Sequence, residues 1–209
     1  MSHILIIISG AFRHINYSVE LFRCVLIENN YMSVCGMLYS VRELSAVVVL
    51  PRSIVERART LGVDLETVVL EAVAERLGMD PEEEAGVHVE LAERFFREGV
   101  EVLERDPVQA SEKLYKVAEE CVKALAKHLR LEEVLSKVKA RGGWTVTDLE
   151  RVVGEVAGKI DDRFITWWDS ANYLHVWGFH EAKLDVKSVK MRMPHVESML
   201  RRTKEVLGI

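Results

Sequence analysis

Two Asp-Pro steps, Asp80-Pro81 and Asp106-Pro107, constrain this chain more than any other feature. An aspartate caps the free N–H groups of a first helical turn, and proline just inside has no N–H to leave unsatisfied. Each step therefore opens a helix. After the first, Glu82–Glu84 suit the positive helix end, and Val87, Leu91, Phe95 and Val102 recur at helical spacing as far as Glu104. After the second, Leu114, Ala118, Cys121, Leu125 and Leu129 form one stripe that runs on to a break at Arg141-Gly142-Gly143. A shorter helix is predicted over Thr147–Ala157. A long one starts at Asp161 or Asp162 and reaches Trp177. A last stripe spans Val186 to Leu207, with Pro194 inside it predicting a kink or a late start. Five helical segments with short breaks and no strand pattern after residue 50 predict an all-α, up-and-down helical bundle over residues 80–209.

A smaller strand-helix-helix unit is expected before it, over residues 46–78. Ala46–Leu50 is a β-branched run closed by Pro51 and reads as a strand. Arg52–Leu61 and Leu65–Leu77 have helical spacing and stop at Gly62 and Gly78. The unit resembles a ribbon-helix-helix module, in which strand side chains read DNA bases. The strand here, AVVVL, offers a base no hydrogen bond, so a dimerisation or docking role is expected of it instead.

Residues 1–40 differ in composition. They hold six of ten isoleucines, three of four asparagines and two of three cysteines. We expect a poorly ordered leader, translated from upstream DNA, with the natural start at Met32 or Met37 rather than Met1. The run Ile4–Ile8 is far shorter than the roughly 20 apolar residues a bilayer span needs, and no basic segment precedes it.

The remaining composition narrows function by exclusion. At 49% apolar and 29% charged the chain can bury a core, and a net charge of −5 speaks against broad coating of nucleic acid. Cys24, Cys35 and Cys121 form no CxxC pair, so we expect reduced thiols in a cytoplasmic protein, with no disulfide and no zinc. Scarce Asn and Gln beside abundant Glu, Arg and Val suggest a thermophile.

Chemistry concentrates in WWDSANYLHVWGFHE, residues Trp167–Glu181. On a helix Phe164, Trp168, Ala171 and His175 share one face, and Asp169, Tyr173, Val176 and His180 share another. Five-residue spacing sets His175 and His180 about 140° apart on a straight helix, and HExxH is absent, so no metal is expected. Trp168 and Trp177 are expected in the core, with His175 hydrogen-bonded within it. Acid–base candidates are His175 and His180, oriented by Asp169 or Glu181. Gly178 ends the helix or admits a close contact. Lys113, Tyr115 and Trp168 are candidate ligand-binding residues, one of the first two facing the Trp–His segment across the bundle. Glu112 and Lys116 read as an ordinary i,i+4 surface pair. Nothing in the sequence calls for a cofactor.

ASEKLYKVAEECVKALA (Ala110–Ala126), followed by WDSANYLHVWGFHEAKLD (Trp168–Asp185), resembles the archaeal paralogous-repeat family called PaREP. The resemblance runs from Pro81 to Leu207, extends loosely to Leu50, and stops short of the first forty residues. It implies a fold similar to HEPN domains, helical bundles that work beside nucleotidyltransferases or in toxin–antitoxin systems. Many of those are ribonucleases whose arginine precedes a histidine by five to seven positions. Here Arg163 stands twelve residues before His175, and Asp169 stands six before it, so the ribonuclease motif is not intact. The leading expectation is a non-enzymatic assembly or partner-binding module, a homo-oligomer or bound to a small protein partner. The alternatives are a nucleotide- or RNA-directed enzyme using His175 and His180, and a DNA-binding regulator through residues 46–78.

Overall fold

The structure is a computed structural model. It describes residues 6–10, 24–28, 31–35, 44–61, 63 and 65–209. The chain divides into two compact units, Met1–Leu50 and Pro51–Ile209. In the first, strand β1 (Ile6–Gly10) pairs antiparallel with β4 (Leu44–Val48), Ile8 lying opposite Ala46. Strands β2 (Cys24–Glu28) and β3 (Tyr31–Cys35) pair antiparallel, with Cys24 opposite Cys35. The strand expected at Ala46–Leu50 thus begins two residues earlier and takes a partner from within the first forty residues. The side chains of Cys24 and Cys35, and the leader residues between these strands, lie outside what the structure describes.

The second unit is all-α. Helices α1 (Arg52–Leu61) and α2 (Leu65–Leu77) have the expected bounds. Helix α3 (Pro81–Val102) begins with a full capping box. Asp80 Oδ1 accepts from the Glu82 and Glu83 N–H at 2.8 and 2.9 Å, and the Asp80 N–H donates back to Glu83 at 2.8 Å. Asp106 caps α4 (Pro107–His128) through the Gln109 N–H at 3.0 Å. The stripe read as one segment to Arg141 is two helices. Arg130 turns into the left-handed region at φ 49° and separates α4 from α5 (Glu132–Arg141), whose end is closed by Gly142 at φ 76°. Helix α6 (Val146–Lys159) is capped by Thr145, two residues before the expected start.

Helix α7 (Arg163–Tyr173) passes directly into a π-helical segment, Leu174–His180. Helix α8 (Val186–Leu207), capped by Asp185, runs through Pro194 without interruption, so the late start is excluded.

Helix α4 lies at the centre, in contact with α3, α5, α6, α7, α8 and the π-helical segment. Every residue from Val117 to Ala126 is buried. Its apolar stripe packs with Val89 and Phe95 of α3, Val152 and Val156 of α6, Phe164 and Trp168 of α7, and Met199 of α8. Such all-round burial admits charged residues only if they pair inside. Glu119, Glu120 and Lys123 lie within that run.

Candidate functional site

The π-helical segment decides the geometry. Its i→i+5 winding, wider than an α-helix, appears in the bond from the Glu181 N–H to the Val176 carbonyl at 2.9 Å. Residues five apart then stack instead of diverging. His175 and His180, about 140° apart on an ideal α-helix, face each other with Nε2 atoms 3.0 Å apart and ring centroids 4.4 Å apart. The expectation that their imidazoles point apart is corrected by this change of winding.

Gly178 brings the segment against α4. A Cβ there would overlap Ser111 Oγ and lie 2.5 Å from Ser111 Cβ, so only glycine fits. Glu112, next to Ser111, reaches His175 Nδ1 at 2.7 Å. A carboxylate only accepts, so His175 donates from Nδ1 and, as a neutral ring, accepts at Nε2 from His180. His175 and Glu112 are half-buried and His180 is exposed. Buried Tyr115, on the same helix as Glu112, stacks on His175 with centroids 4.0 Å apart and 24° between planes. Burial, reinforced by Glu119, pushes its phenol up to about 12, against the pull of Lys116. Phe179 lies 6.0 Å from His175 and 5.2 Å from His180.

The structure thus gathers His175, His180 and Tyr115, and adds Glu112. Asp169 and Glu181 are exposed and hydrogen-bond to neither histidine. Lys113 pairs instead with Glu98 and lies 5.1 Å from the Phe95 ring centroid. Trp168 is fully buried and donates Nε1–H to Glu150 at 2.7 Å, with its ring 5.9 Å from Tyr115. Trp177, expected in the core, is 46% exposed, while Trp167 is buried. Arg163 bonds to Asp161 and stacks over Trp167, with no bond to His175. Glu112 serves His175, and Lys116 pairs with Glu119 at 2.9 Å. Glu112 and His175 stand 63 positions apart, and the stretch between them carries no periodic signal that could have joined them.

A second polar cluster lies inside the bundle. His88 Nδ1 meets Glu120 at 2.6 Å, and Lys123 reaches both Glu119 and Glu120 at 2.8 Å. Burial opposes ionisation of Glu120, but Lys123 and His88 outweigh it and hold the carboxyl well below its usual range. Burial likewise opposes the charge of Lys123, and the two glutamates raise it above an ordinary lysine. Cys121 is enclosed beside them, its thiol pushed up to about 12 mainly by burial, as expected of an inert core residue. Elsewhere, an open groove of about 490 Å³ between α3 and α8, floored by Phe96, Leu200 and Ile209, holds none of the site residues. Among the described residues, no group of three or more His, Cys, Asp or Glu side chains is arranged to hold a metal ion. No helix among them is long and apolar enough to cross a membrane.

No curated protein matches the chain. It is similar to a protein from Sulfolobus solfataricus of known crystal structure, at 35% identity and a TM-score of 0.51, over 55% of this chain and 93% of that one. A solution structure of the same structural-genomics target matches at 35% identity and a TM-score of 0.49, over 55% and 88% of the two chains. The model of the archaeal PaREP1/PaREP8 family matches residues 87–200, which contain α4, the π-helical segment and every residue of the histidine site. On that match, over more than half of its length, the chain belongs to the archaeal PaREP1/PaREP8 family.

Proposed function

We propose that Glu112, His175 and His180 form an acid–base centre acting on a nucleotide or RNA phosphoester. The observation that carries this reading is the unbroken hydrogen-bond line from Glu112 through both rings of His175 and His180 to solvent. In it Glu112 fixes the tautomer and orientation of His175, leaving a lone pair on Nε2. His180 forms the exposed end that meets substrate, and Tyr115 holds the His175 ring by stacking. Phe179 offers a ring face beside the imidazoles on which a base can stack. The arginine of HEPN ribonucleases has no counterpart in this line, so the chemistry rests on the histidines alone. Acid–base groups contribute typically about 10²–10⁴-fold. His175→Ala and His180→Ala proteins should therefore lose RNA cleavage or nucleotide turnover by about a hundredfold. If both match wild type in cleavage and in nucleotide binding, the reading fails.

An assembly or partner-binding role, as a homo-oligomer or with a small protein partner, is favoured by a separate observation. Ile54, Leu61 and Leu77 of α1 and α2 are 48%, 60% and 69% exposed, and a shallow groove of about 410 Å³ runs along α1. Light scattering that finds a strict monomer at all concentrations refutes the homo-oligomer and counts heavily against this role. DNA binding through residues 46–78 has less support, and a gel shift at low salt that shows no complex dismisses it. Both main readings suit a cytoplasmic protein of a thermophilic archaeon.

A further inference from the structure

We propose that His175 and His180 together form a two-histidine chelate for a divalent transition-metal ion, with Ni²⁺ as its best-fitting probe. The inference uses the same rings as the acid–base reading but does not depend on it. Residues five apart cannot chelate from an α-helix, and the π-helical winding removes that obstacle by bringing the two Nε2 atoms within 3.0 Å of each other. With metal–nitrogen bonds of about 2.05 Å, that separation corresponds to an N–metal–N angle of about 94°. The angle matches adjacent positions of a square or octahedral ion, the geometries of Cu²⁺ and Ni²⁺. A tetrahedral ion would need the nitrogens about 3.3 Å apart.

Three further observations fit a ligand pair. Glu112 accepts the Nδ1 proton of His175, the carboxylate–histidine arrangement that orients a metal-binding ring and leaves Nε2 free to ligate. The ring planes stand at 77° with centroids 4.4 Å apart, so the rings approach edge to face and leave one another's Nε2 unstacked. His180 is exposed, so an ion has a path in and solvent can fill the remaining positions. The proton balance is simple. His175 keeps its Nδ1 proton on Glu112. His180 moves its proton from Nε2 to Nδ1 by exchange with water, and the metal–nitrogen bond replaces the hydrogen bond between the rings. The site has two protein ligands, so binding is reversible and the ion stays open to a third ligand from substrate or solvent. A bound ion occupies His175 Nε2, and it would thereby block proton transfer through that atom.

The test is calorimetric titration of the full chain, freed of metal by chelator, with NiCl₂ at pH 7.5 and without substrate. One saturable site is expected in wild type. His180→Ala should weaken it at least tenfold, and because this side chain is exposed, the variant should keep the wild-type circular dichroism. Glu112→Gln should weaken it about 10–100-fold, the usual effect of losing such a carboxylate. Histidine side-chain ¹⁵N resonances of His175 and His180 should shift or broaden on binding while the other histidines keep theirs. Absence of saturable binding overturns the proposal. Equal affinity in wild type and His180→Ala also overturns it and assigns the binding to other histidines. Metal-free protein assayed on RNA tests the acid–base reading separately, so either idea can fail alone.

Discussion

Replacing Lys123 by methionine tests the buried charge cluster most directly. Lys123 is 1% exposed and bonds two carboxylates at 2.8 Å each. Methionine keeps the apolar stem and removes the charge. Glu119 retains Lys116 at 2.9 Å, but Glu120 is left with His88 alone. Removing one partner of a buried pair typically costs about 3–5 kcal/mol, because the stranded charge stays desolvated. At about 2–4 °C per kcal/mol for a chain of this size, the melting temperature should fall by about 6–20 °C. Thermal and urea melts followed by circular dichroism at pH 7 measure this. Glu120→Gln/Lys123→Met should lose less than the two single losses added together, by at least about 1 kcal/mol, since the residues share one network. Acidification gives an independent check. Glu120 is depressed in the folded chain, so its contribution is present above the ordinary carboxylate value of 4.5 and is lost as pH falls below it. Lys123 and His88 bond to Glu120 directly, and Glu119 shares Lys123 with it. Wild type should therefore lose more stability than the double variant between pH 5 and the acid limit. A melting shift under about 2 °C for Lys123→Met, or strict additivity in the cycle, would refute the argument that this network is desolvated.

Three other outcomes follow from the packing of the helices. Gly178→Ala should destabilise by about 1–3 kcal/mol and separate His175 from Glu112, because its Cβ would lie 2.5 Å from Ser111 Cβ, which no rotamer change can move; Ser111→Gly should restore part of the loss, read as melting temperature. Ultraviolet titration should show one tyrosine ionising only near pH 12, and that component should vanish in Tyr115→Phe. Asp80→Ala removes the capping box of α3 and should cost about 1 kcal/mol in urea unfolding.

Much of the helical body could be read locally. The caps at Asp80 and Asp106, the bounds of α1 and α2, and the fully buried face of Phe164, Trp168 and Ala171 all follow from residues a few positions apart. The break at Arg130 could not be read, because the apolar stripe carries on across it and an arginine gives no turn signal. Trp177 is expected in the core for its apolar bulk, but at 100° per residue it stands about 180° from Trp168 and the buried face, and the structure leaves it exposed.

The histidine site divides the same way. The residues themselves determined that two imidazoles, several aromatic rings and a glycine stand within one short segment, and that α4 carries Glu112 and Tyr115. Only the tertiary structure decided which of them meet. Packing of Gly178 on Ser111 holds the segment close to α4, the wider winding turns His180 onto His175, and Glu112 arrives from 63 residues away. A periodic sequence specifies the face of a helix. Which carboxylate that face encounters is set by how helices far apart in the chain pack against one another.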